Sequence, residues 1–73
     1  MSDGRPVKRS LTLKGHRTSV SLEDSFWREF RRLATARGTG INGLAAEIDD
    51  GRGEVGLASA IRVFVLAEVK AGR

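Results

Sequence analysis

The chain contains no cysteine and only one histidine, His16, among its 73 residues. Without cysteine neither a disulfide framework nor a thiolate metal site can form, and one histidine is too few for a histidine-rich metal site. We therefore expect no metal and no cofactor. A chain this short buries only about 60% of the surface that its unfolded state exposes, and small domains without staples commonly oligomerise. The composition predicts one domain that is stabilised by a second subunit.

Long apolar runs are also lacking. The longest is residues 63–67, far short of the roughly 20 residues that a membrane-spanning helix needs, and no segment resembles a signal peptide. We expect a cytoplasmic protein with no membrane partner. Paired carboxylates, a nucleophile beside a base and a phosphate-binding loop are all missing from the sequence as well, so an enzyme is not expected.

The charge is unevenly distributed along the chain. Residues 1–40 hold nine basic and four acidic side chains, whereas residues 41–73 hold four basic and five acidic ones. A basic N-terminal half beside a near-neutral remainder is typical of a protein that binds a polyanion. Charge alone does not separate such a binder from a merely basic protein, so the arrangement of the residues has to decide.

Two short segments near the N-terminus alternate between polar and apolar residues. We interpret residues 1–7 as a disordered arm and residues 8–73 as one domain. Within residues 17–22, Thr18, Val20 and Leu22 fall on one side and the remaining residues on the other, which predicts a half-buried strand. Residues 10–14 alternate similarly, and residues 14–16 between the segments suit a turn or a kink. Residues 8–14 are therefore either a further strand or an arm.

Three helices follow the predicted strand. The first spans about residues 24–37, with Phe26, Phe30 and Leu33 on one apolar stripe and a C-terminal stop at Gly38. The second spans about residues 41–49. The third, about residues 57–69, is apolar over most of its circumference and must be buried, which in so small a chain predicts burial by a second subunit.

A single strand at residues 17–22 leaves its backbone groups without hydrogen-bond partners. Two copies that pair antiparallel across a two-fold axis would solve this problem. The predicted fold is therefore mostly α-helical with one short strand per subunit, assembled as an intertwined homodimer with an intersubunit two-stranded ribbon. The outward face of such a ribbon is polar, and its width suits the DNA major groove.

The order of these patterns resembles the ribbon-helix-helix family of MetJ, Arc and CopG-like proteins. The resemblance rests on Arg17-Thr18-Ser19-Val20-Ser21-Leu22, on Phe26-x-x-x-Phe30-x-x-Leu33-Ala34, and on Gly38-x-x-Ile41-Asn42-x-Leu44. The string from Gly15 to Glu23, together with Ala60-Ile61-Arg62-Val63-Phe64-Val65-Leu66, is further similar to a bacterial subfamily of these domains. Family members insert strands into the major groove.

The resemblance implies a role for each matching position. The outward strand residues that would contact bases are Arg17, Ser19 and Ser21. The start of the second helix would grip a phosphate through residues Thr39, Gly40, Ile41 and Asn42, as helix N-termini do. Apart from the resemblance, positive charge and a position directly before the predicted ribbon indicate phosphate contacts for Lys8, Arg9 and Lys14. The predicted dimer core comprises Thr18, Val20, Leu22, Phe26, Phe30, Leu33, Leu44, Ile48, Ile61 and Phe64.

These observations predict a sequence-specific regulator of transcription, a repressor or autoregulator, that binds double-stranded DNA as a homodimer or as a dimer of dimers. One alternative is an antitoxin or adaptor whose residues 50–73 hold a toxin or another protein partner. Partner-binding tails are usually polar and fold only on binding. This chain is instead predicted to end in a hydrophobic helix, which disfavours that alternative. A structural alternative is a hairpin of residues 8–14 and 16–22 within one chain, in a four-stranded ribbon or a monomer.

Overall fold

The computed structural model describes residues 4–73. Two strands, β1 (Val7–Leu13) and β2 (His16–Leu22), precede three helices, α1 (Asp24–Ala36), α2 (Ile41–Gly51) and α3 (Leu57–Lys70). The first strand begins at Val7, the last residue of the predicted arm, residues 1–7. The first three residues of that arm lie outside the described part of the chain. The helices begin at the predicted residues and end within two residues of the predicted ends.

The strands form an antiparallel hairpin around the turn Lys14-Gly15. Both turn residues have positive φ, 53° at Lys14 and 85° at Gly15, as in a type I′ turn, whose twist matches that of the strands it joins. The register pairs Leu13 with His16 beside the turn and Val7 with Leu22 at the far end. We call this two-stranded hairpin the ribbon.

The ribbon corrects the predicted partner of residues 17–22. That strand pairs with β1 of its own chain, so the expectation of one strand per subunit is wrong and the hairpin alternative is confirmed. The physical reason is the turn, because a glycine in the left-handed region lets the chain reverse within two residues. A second copy is not needed to satisfy the inner edge of β2, and assembly into a homodimer stays a prediction.

A single hydrophobic core lies between the inward face of the ribbon and the helices. Its buried side chains, contributed by all five elements, are Leu11, Val20, Leu22, Phe30, Leu33, Ala34, Leu44, Ala45, Ile61 and Val65. The core is thus completed within one chain. The helix α3 places Ile61 and Val65 in it, although we expected a second subunit to bury this helix.

The residues predicted to form a dimer core lie at three depths in this single chain. Six of them are buried, namely Val20, Leu22, Phe30, Leu33, Leu44 and Ile61. Phe26, Ile48 and Phe64 are partly buried against the core. Thr18 shares the inward side of β2 but is exposed. Their contact with a second subunit stays a prediction.

The helices are short. Within residues 4–73, no helix combines the length and the apolar character that crossing a membrane would require.

The hairpin turn generates the first prediction. Gly15→Ala puts a side chain on a residue with φ of 85°, so we expect it to destabilise the protein by about 1–2 kcal/mol. The matched control is Lys14→Asn, because asparagine tolerates positive φ and should leave stability unchanged or higher. Urea denaturation followed by circular dichroism measures both, and equal stability of Gly15→Ala and the wild type would contradict the turn assignment.

Candidate nucleic-acid interface

The outward face of the ribbon is entirely polar. Alternation along β1 and β2 turns apolar side chains toward the core and leaves a polar set exposed on the other side. In cross-strand order these exposed pairs are Lys8 with Ser21, Ser10 with Ser19, and Thr12 with Arg17. The three outward residues predicted from the sequence, Arg17, Ser19 and Ser21, thus lie side by side with three residues of β1.

The cross-strand pairs on the outward face are closely spaced. The backbone N–H of Thr12 and the carbonyl oxygen of Ser21 point away from the other strand and bond to side chains of the helices. The pairs Thr12–Arg17, Ser10–Ser19 and Lys8–Ser21 are therefore the non-hydrogen-bonded pairs of the ladder. In such pairs the Cα atoms approach to about 4.5 Å, closer than in hydrogen-bonded pairs. The small hydroxyl side chains of Ser10 and Ser19 therefore form a low centre between the longer Lys8 and Arg17.

The ribbon carries charge of one sign only. From Gly4 to Leu22 there is no acidic residue, while five basic residues occur in the same stretch. Neither Lys8 nor Arg17 forms a salt bridge within residues 4–73, whereas Arg28 and Arg32 on α1 pair with Asp24 and Glu29 of the same helix. The two cations of the outward face thus have no acidic partner within residues 4–73.

Arg9 is directed inward, unlike its neighbour Lys8. Its guanidinium lies 5.3 Å from the ring centroid of Trp27 and 3.3 Å from Asp24 Oδ1, and its side chain is only 18% exposed. A cation stacked on an indole ring and paired with a carboxylate stabilises the packing of β1 against α1. The position of Arg9 gives little support to its predicted contact with a phosphate.

Lys14 extends from the turn toward the end of α2. Its Nζ atom donates a hydrogen bond to Asp50 Oδ1 at 2.5 Å, and this bond raises the pKa of the lysine above its usual value. Both side chains are exposed, so the pair opens readily in water and contributes little to stability. Because an ammonium group has three donors, Lys14 can bind an external phosphate either beside Asp50 or in its place.

The N-terminus of α2 lies against the outer edge of β1. Asn42 Oδ1 accepts a hydrogen bond of 2.9 Å from Thr12 N–H. The helix begins at Ile41 after Gly40, which provides no side-chain cap, and the first backbone bond within α2 is from Leu44 N–H to the Gly40 carbonyl. The N–H groups of the first turn consequently remain available to an anion.

Thr39 is held close to this first turn. Its hydroxyl oxygen lies 2.6 Å from the position that a Cβ atom on Gly43 would occupy. The glycine therefore permits an approach that any other residue would hinder. The predicted phosphate-contacting residues at 39–42 thus lie together beside the ribbon, with the Asn42 side chain engaged by β1 and its backbone N–H unengaged.

Both outer edges of the ribbon are held by side chains of flanking helices. Asn42 of α2 bonds to β1, and Arg62 of α3 donates to the carbonyl oxygen of Ser21 on β2 at 3.2 Å. Arg62 also binds both carboxylate oxygens of Glu23, at 2.9 and 3.3 Å. Each bond occupies one backbone group on an outer edge, which hinders the addition of another strand at that point.

Sequence reasoning missed Ser10 and Thr12 as members of this face. The signal was present, because Ser10, Thr12 and Lys8 are the polar half of an alternating stretch whose other half includes Leu11 and Leu13. The turn that places β1 beside β2 was harder to predict, since Lys-Gly is a weaker hairpin signal than Asn-Gly or Asp-Gly.

A sequence model described as a ribbon-helix-helix domain matches residues 6–69 of the chain. The match includes the complete ribbon, α1, α2 and nearly all of α3. No curated protein and no solved structure matches the chain.

The ion pair beside the β2 edge generates a prediction about pH. The hydrogen bond from Arg62 holds the pKa of Glu23 below its usual value, so the pair stabilises the folded state at neutral pH. This stabilisation should be lost as the pH falls below about 4.5, where the unfolded carboxylate becomes protonated and then the folded one. Urea denaturation of Glu23→Gln should therefore show a deficit relative to the wild type that shrinks on acidification.

The matched control is the same substitution made in an Arg62→Gln background. There the deficit should shrink at neutral pH, because the largest cause of the lowered Glu23 pKa is gone while the weaker backbone hydrogen bond remains. A deficit of unchanged size in both backgrounds would mean that Glu23 acts independently of Arg62.

Proposed function

Because the chain belongs to the ribbon-helix-helix domain family, whose members are in general DNA-binding regulators that dimerise, we propose that it binds double-stranded DNA sequence-specifically and regulates transcription. Its role is that of a repressor or autoregulator. The observation that carries the proposal is the outward face of the ribbon, which is exposed, wholly polar and free of acidic residues, with Lys8 and Arg17 unpaired within residues 4–73.

The ribbon enters the major groove with this face toward the base edges. Two strands lie about 4.8 Å apart, and a two-stranded ribbon fits a groove about 12 Å wide. Arg17 donates two hydrogen bonds to a guanine, and the hydroxyls of Ser19 and Ser21 donate to or accept from the bases that they reach. The low centre at Ser10 and Ser19 supports close approach of the backbone to the groove floor.

The reading unit is the ribbon of one chain. Pairing β2 with a second β2 would produce a sheet of four strands, whose outer strands lie about 14 Å apart before any side chain is counted. Such a sheet is too wide to enter the groove edge to edge. The hydrogen bond from Arg62 to Ser21 also opposes that pairing. We therefore replace the predicted intersubunit ribbon with an intrachain one.

Phosphate contacts position the ribbon in the groove. The N-terminus of α2, through Thr39, Gly40, Ile41 and Asn42, binds a phosphate beside the groove, since its N–H groups lack a capping side chain. Lys8 and Lys14 add contacts that are insensitive to sequence. Arg9 is left out of the interface because it is engaged by Asp24 and Trp27.

The antitoxin or adaptor alternative has weaker support. In that alternative, residues 50–73 hold a partner protein, usually as a segment that folds on binding. Here α3 supplies Ile61 and Val65 to the chain's own core, so most of this segment is already folded before any partner arrives.

The proposal predicts different roles for the two cations of the outward face. Arg17→Ala should weaken binding to the preferred site by roughly 1–3 kcal/mol and relax the base preference, because it removes a bidentate contact to a base. Lys8→Ala should weaken all sequences about equally and reduce the salt dependence of binding by about one phosphate contact. Selection from a random duplex library, followed by titrations at several salt concentrations, measures both effects.

The control variant is Arg31→Ala, which removes one exposed positive charge from α1. It should keep the base preference and lose less affinity than either ribbon variant. An Arg17→Ala protein that selects the same sequences as the wild type would overturn the proposed base contact.

A second prediction separates an intrachain ribbon from an intersubunit one. Ser10→Ala and Thr12→Ala should change base preference at positions next to those read by Ser19 and Arg17, because the pairs lie in register on one face. If β2 paired with β2 of another subunit in the groove, these β1 residues would lie outside it. Selected sequences identical to those of the wild type for both variants would contradict the intrachain ribbon.

A further inference from the structure

Asn42 joins the beginning of α2 to the outer edge of β1. Its Oδ1 atom accepts a hydrogen bond of 2.9 Å from the backbone N–H of Thr12, a residue 30 positions earlier in the chain. Within residues 4–73 this is the one hydrogen bond between α2 and the backbone of the ribbon. The N–H of Thr12 points away from β2, so its bond to Asn42 leaves the ladder between the strands intact.

This hydrogen bond lies directly beside Arg17. Thr12 faces Arg17 across the ladder, in a non-hydrogen-bonded pair whose Cα atoms are about 4.5 Å apart. The path from the N-terminus of α2 to Arg17 therefore consists of one hydrogen bond and one cross-strand pair. The proposed base contact and the proposed phosphate contact are thus linked by a short path.

The other contacts between α2 and the ribbon restrain their relative position less. Lys14 and Asp50 form a salt bridge, but their side chains are 63% and 59% exposed, and exposed pairs with a long, flexible side chain hold a geometry weakly. Apolar side chains of both elements meet in the core, yet the hydrophobic effect has no preferred direction. A hydrogen bond is directional, so Asn42 supplies the directional restraint.

We infer that Asn42 is a positioning residue for the reading of DNA sequence. Its side chain fixes the distance between Arg17, which contacts a base, and the N-terminus of α2, which contacts a phosphate. The inference rests on the proposed function and adds to it, because it concerns the Asn42 side chain, whereas the proposed phosphate contact uses backbone N–H groups.

A fixed distance matters because the two kinds of contact serve different purposes. Phosphate contacts set the register of a protein on the duplex, and base contacts read the sequence in that register. When the distance is fixed, a phosphate bound by α2 brings Arg17 to one base pair. When the distance varies, the arginine contacts neighbouring base pairs as well, so affinity is kept while discrimination is lost.

Asparagine suits this position because its amide accepts the Thr12 N–H without adding charge. An aspartate accepts the same bond, but its negative charge repels a phosphate nearby. An alanine keeps the backbone N–H groups of the helix and loses the bond to β1. The two substitutions therefore separate the effect of the hydrogen bond from that of charge.

Asn42→Ala should reduce discrimination more than affinity. The preferred duplex is compared with a duplex changed at the one base pair whose preference Arg17→Ala relaxes, and the ratio of the two dissociation constants is measured. We expect this ratio to fall about 10-fold, because a bidentate base contact is its source, while the affinity for random duplex changes less than about twofold. An equal loss of affinity for all duplexes, as a merely structural role would give, would overturn the inference.

Two variants provide matched controls. Asn42→Asp keeps an acceptor for the Thr12 N–H, so it should retain the discrimination of the wild type although every duplex binds more weakly. Asp50→Ala removes the salt bridge to Lys14 and should also retain discrimination. If Asp50→Ala lost as much discrimination as Asn42→Ala, any loosening of α2 would have this effect, and the specific role of Asn42 would be overturned.

Thr12→Pro tests the donor side of the bond. Proline lacks the N–H, and at this outer edge it removes no ladder bond. Compared with Thr12→Ala, which loses the same hydroxyl but keeps the N–H, Thr12→Pro should show the additional loss of discrimination seen in Asn42→Ala. Combining Thr12→Pro with Asn42→Ala should add nothing further, and additive losses would contradict the proposed bond. Circular dichroism verifies that all variants are folded.

Hydrogen exchange of the Thr12 amide, measured by NMR without DNA, tests the bond independently of binding. The amide should exchange several-fold faster in Asn42→Ala than in the wild type, and at close to the wild-type rate in Asn42→Asp. An unchanged rate in Asn42→Ala would overturn the inference alone. A wild type with no sequence preference would refute the proposed function, and the inference with it.

Discussion

The antiparallel ladder between β1 and β2 is the contact on which the rest of the structure depends. Its register decides which side chains face the helices and which face solvent. With Ser10 opposite Ser19, Leu11, Val20 and Leu22 all enter the core. A shift of either strand by one residue would move its apolar side chains into water and its polar ones into the core. Core formation and the polar outward face are thus two results of one register.

The flanking helices hold this ladder in place by polar contacts at its edges. Asn42 bonds to β1 and Arg62 bonds to β2, while Arg9 ties β1 to α1 through Trp27 and Asp24. The polar side chains at the edges limit the growth of the sheet. Within the single chain, the basic residues of the outward face lie on a narrow two-stranded surface. A two-stranded surface of this width is what the proposed binding in the major groove requires.

The helices were predictable from sequence because the signals for them are local. Apolar spacing located α1 and α2, and Gly38, with a φ of 73°, marks the turn that follows α1. The partner of β2 was less predictable, since strand pairing depends on a turn whose Lys14-Gly15 signal is weak. Residues 17–22 alone suggested an unpaired strand, from which an intersubunit ribbon was predicted. The structure pairs this strand with β1 of its own chain, and pairing between subunits stays a prediction.

The direction of a side chain was predicted correctly where the prediction used the alternation of polar and apolar residues. It was predicted wrongly where the prediction used charge alone. Arg17, Ser19 and Ser21 fall on the outward face, as their spacing predicted. Arg9 was grouped with Lys8 by charge, although alternation places it on the side of Leu11. The helix α3 was expected to need a second subunit because it is apolar over most of its circumference, and all of that surface was assumed to be buried. The folded chain buries one side of it and exposes the other.

The most direct test of the intrachain ribbon is an isotope-filtered NMR experiment on a mixture of labelled and unlabelled protein. The register places the Cα protons of Ser10 and Ser19 close together within one chain. We predict a strong cross-peak between them that arises only from protons of the same molecule. An intermolecular cross-peak between Ser19 Cα protons, with none between Ser10 and Ser19 of one chain, would contradict the account.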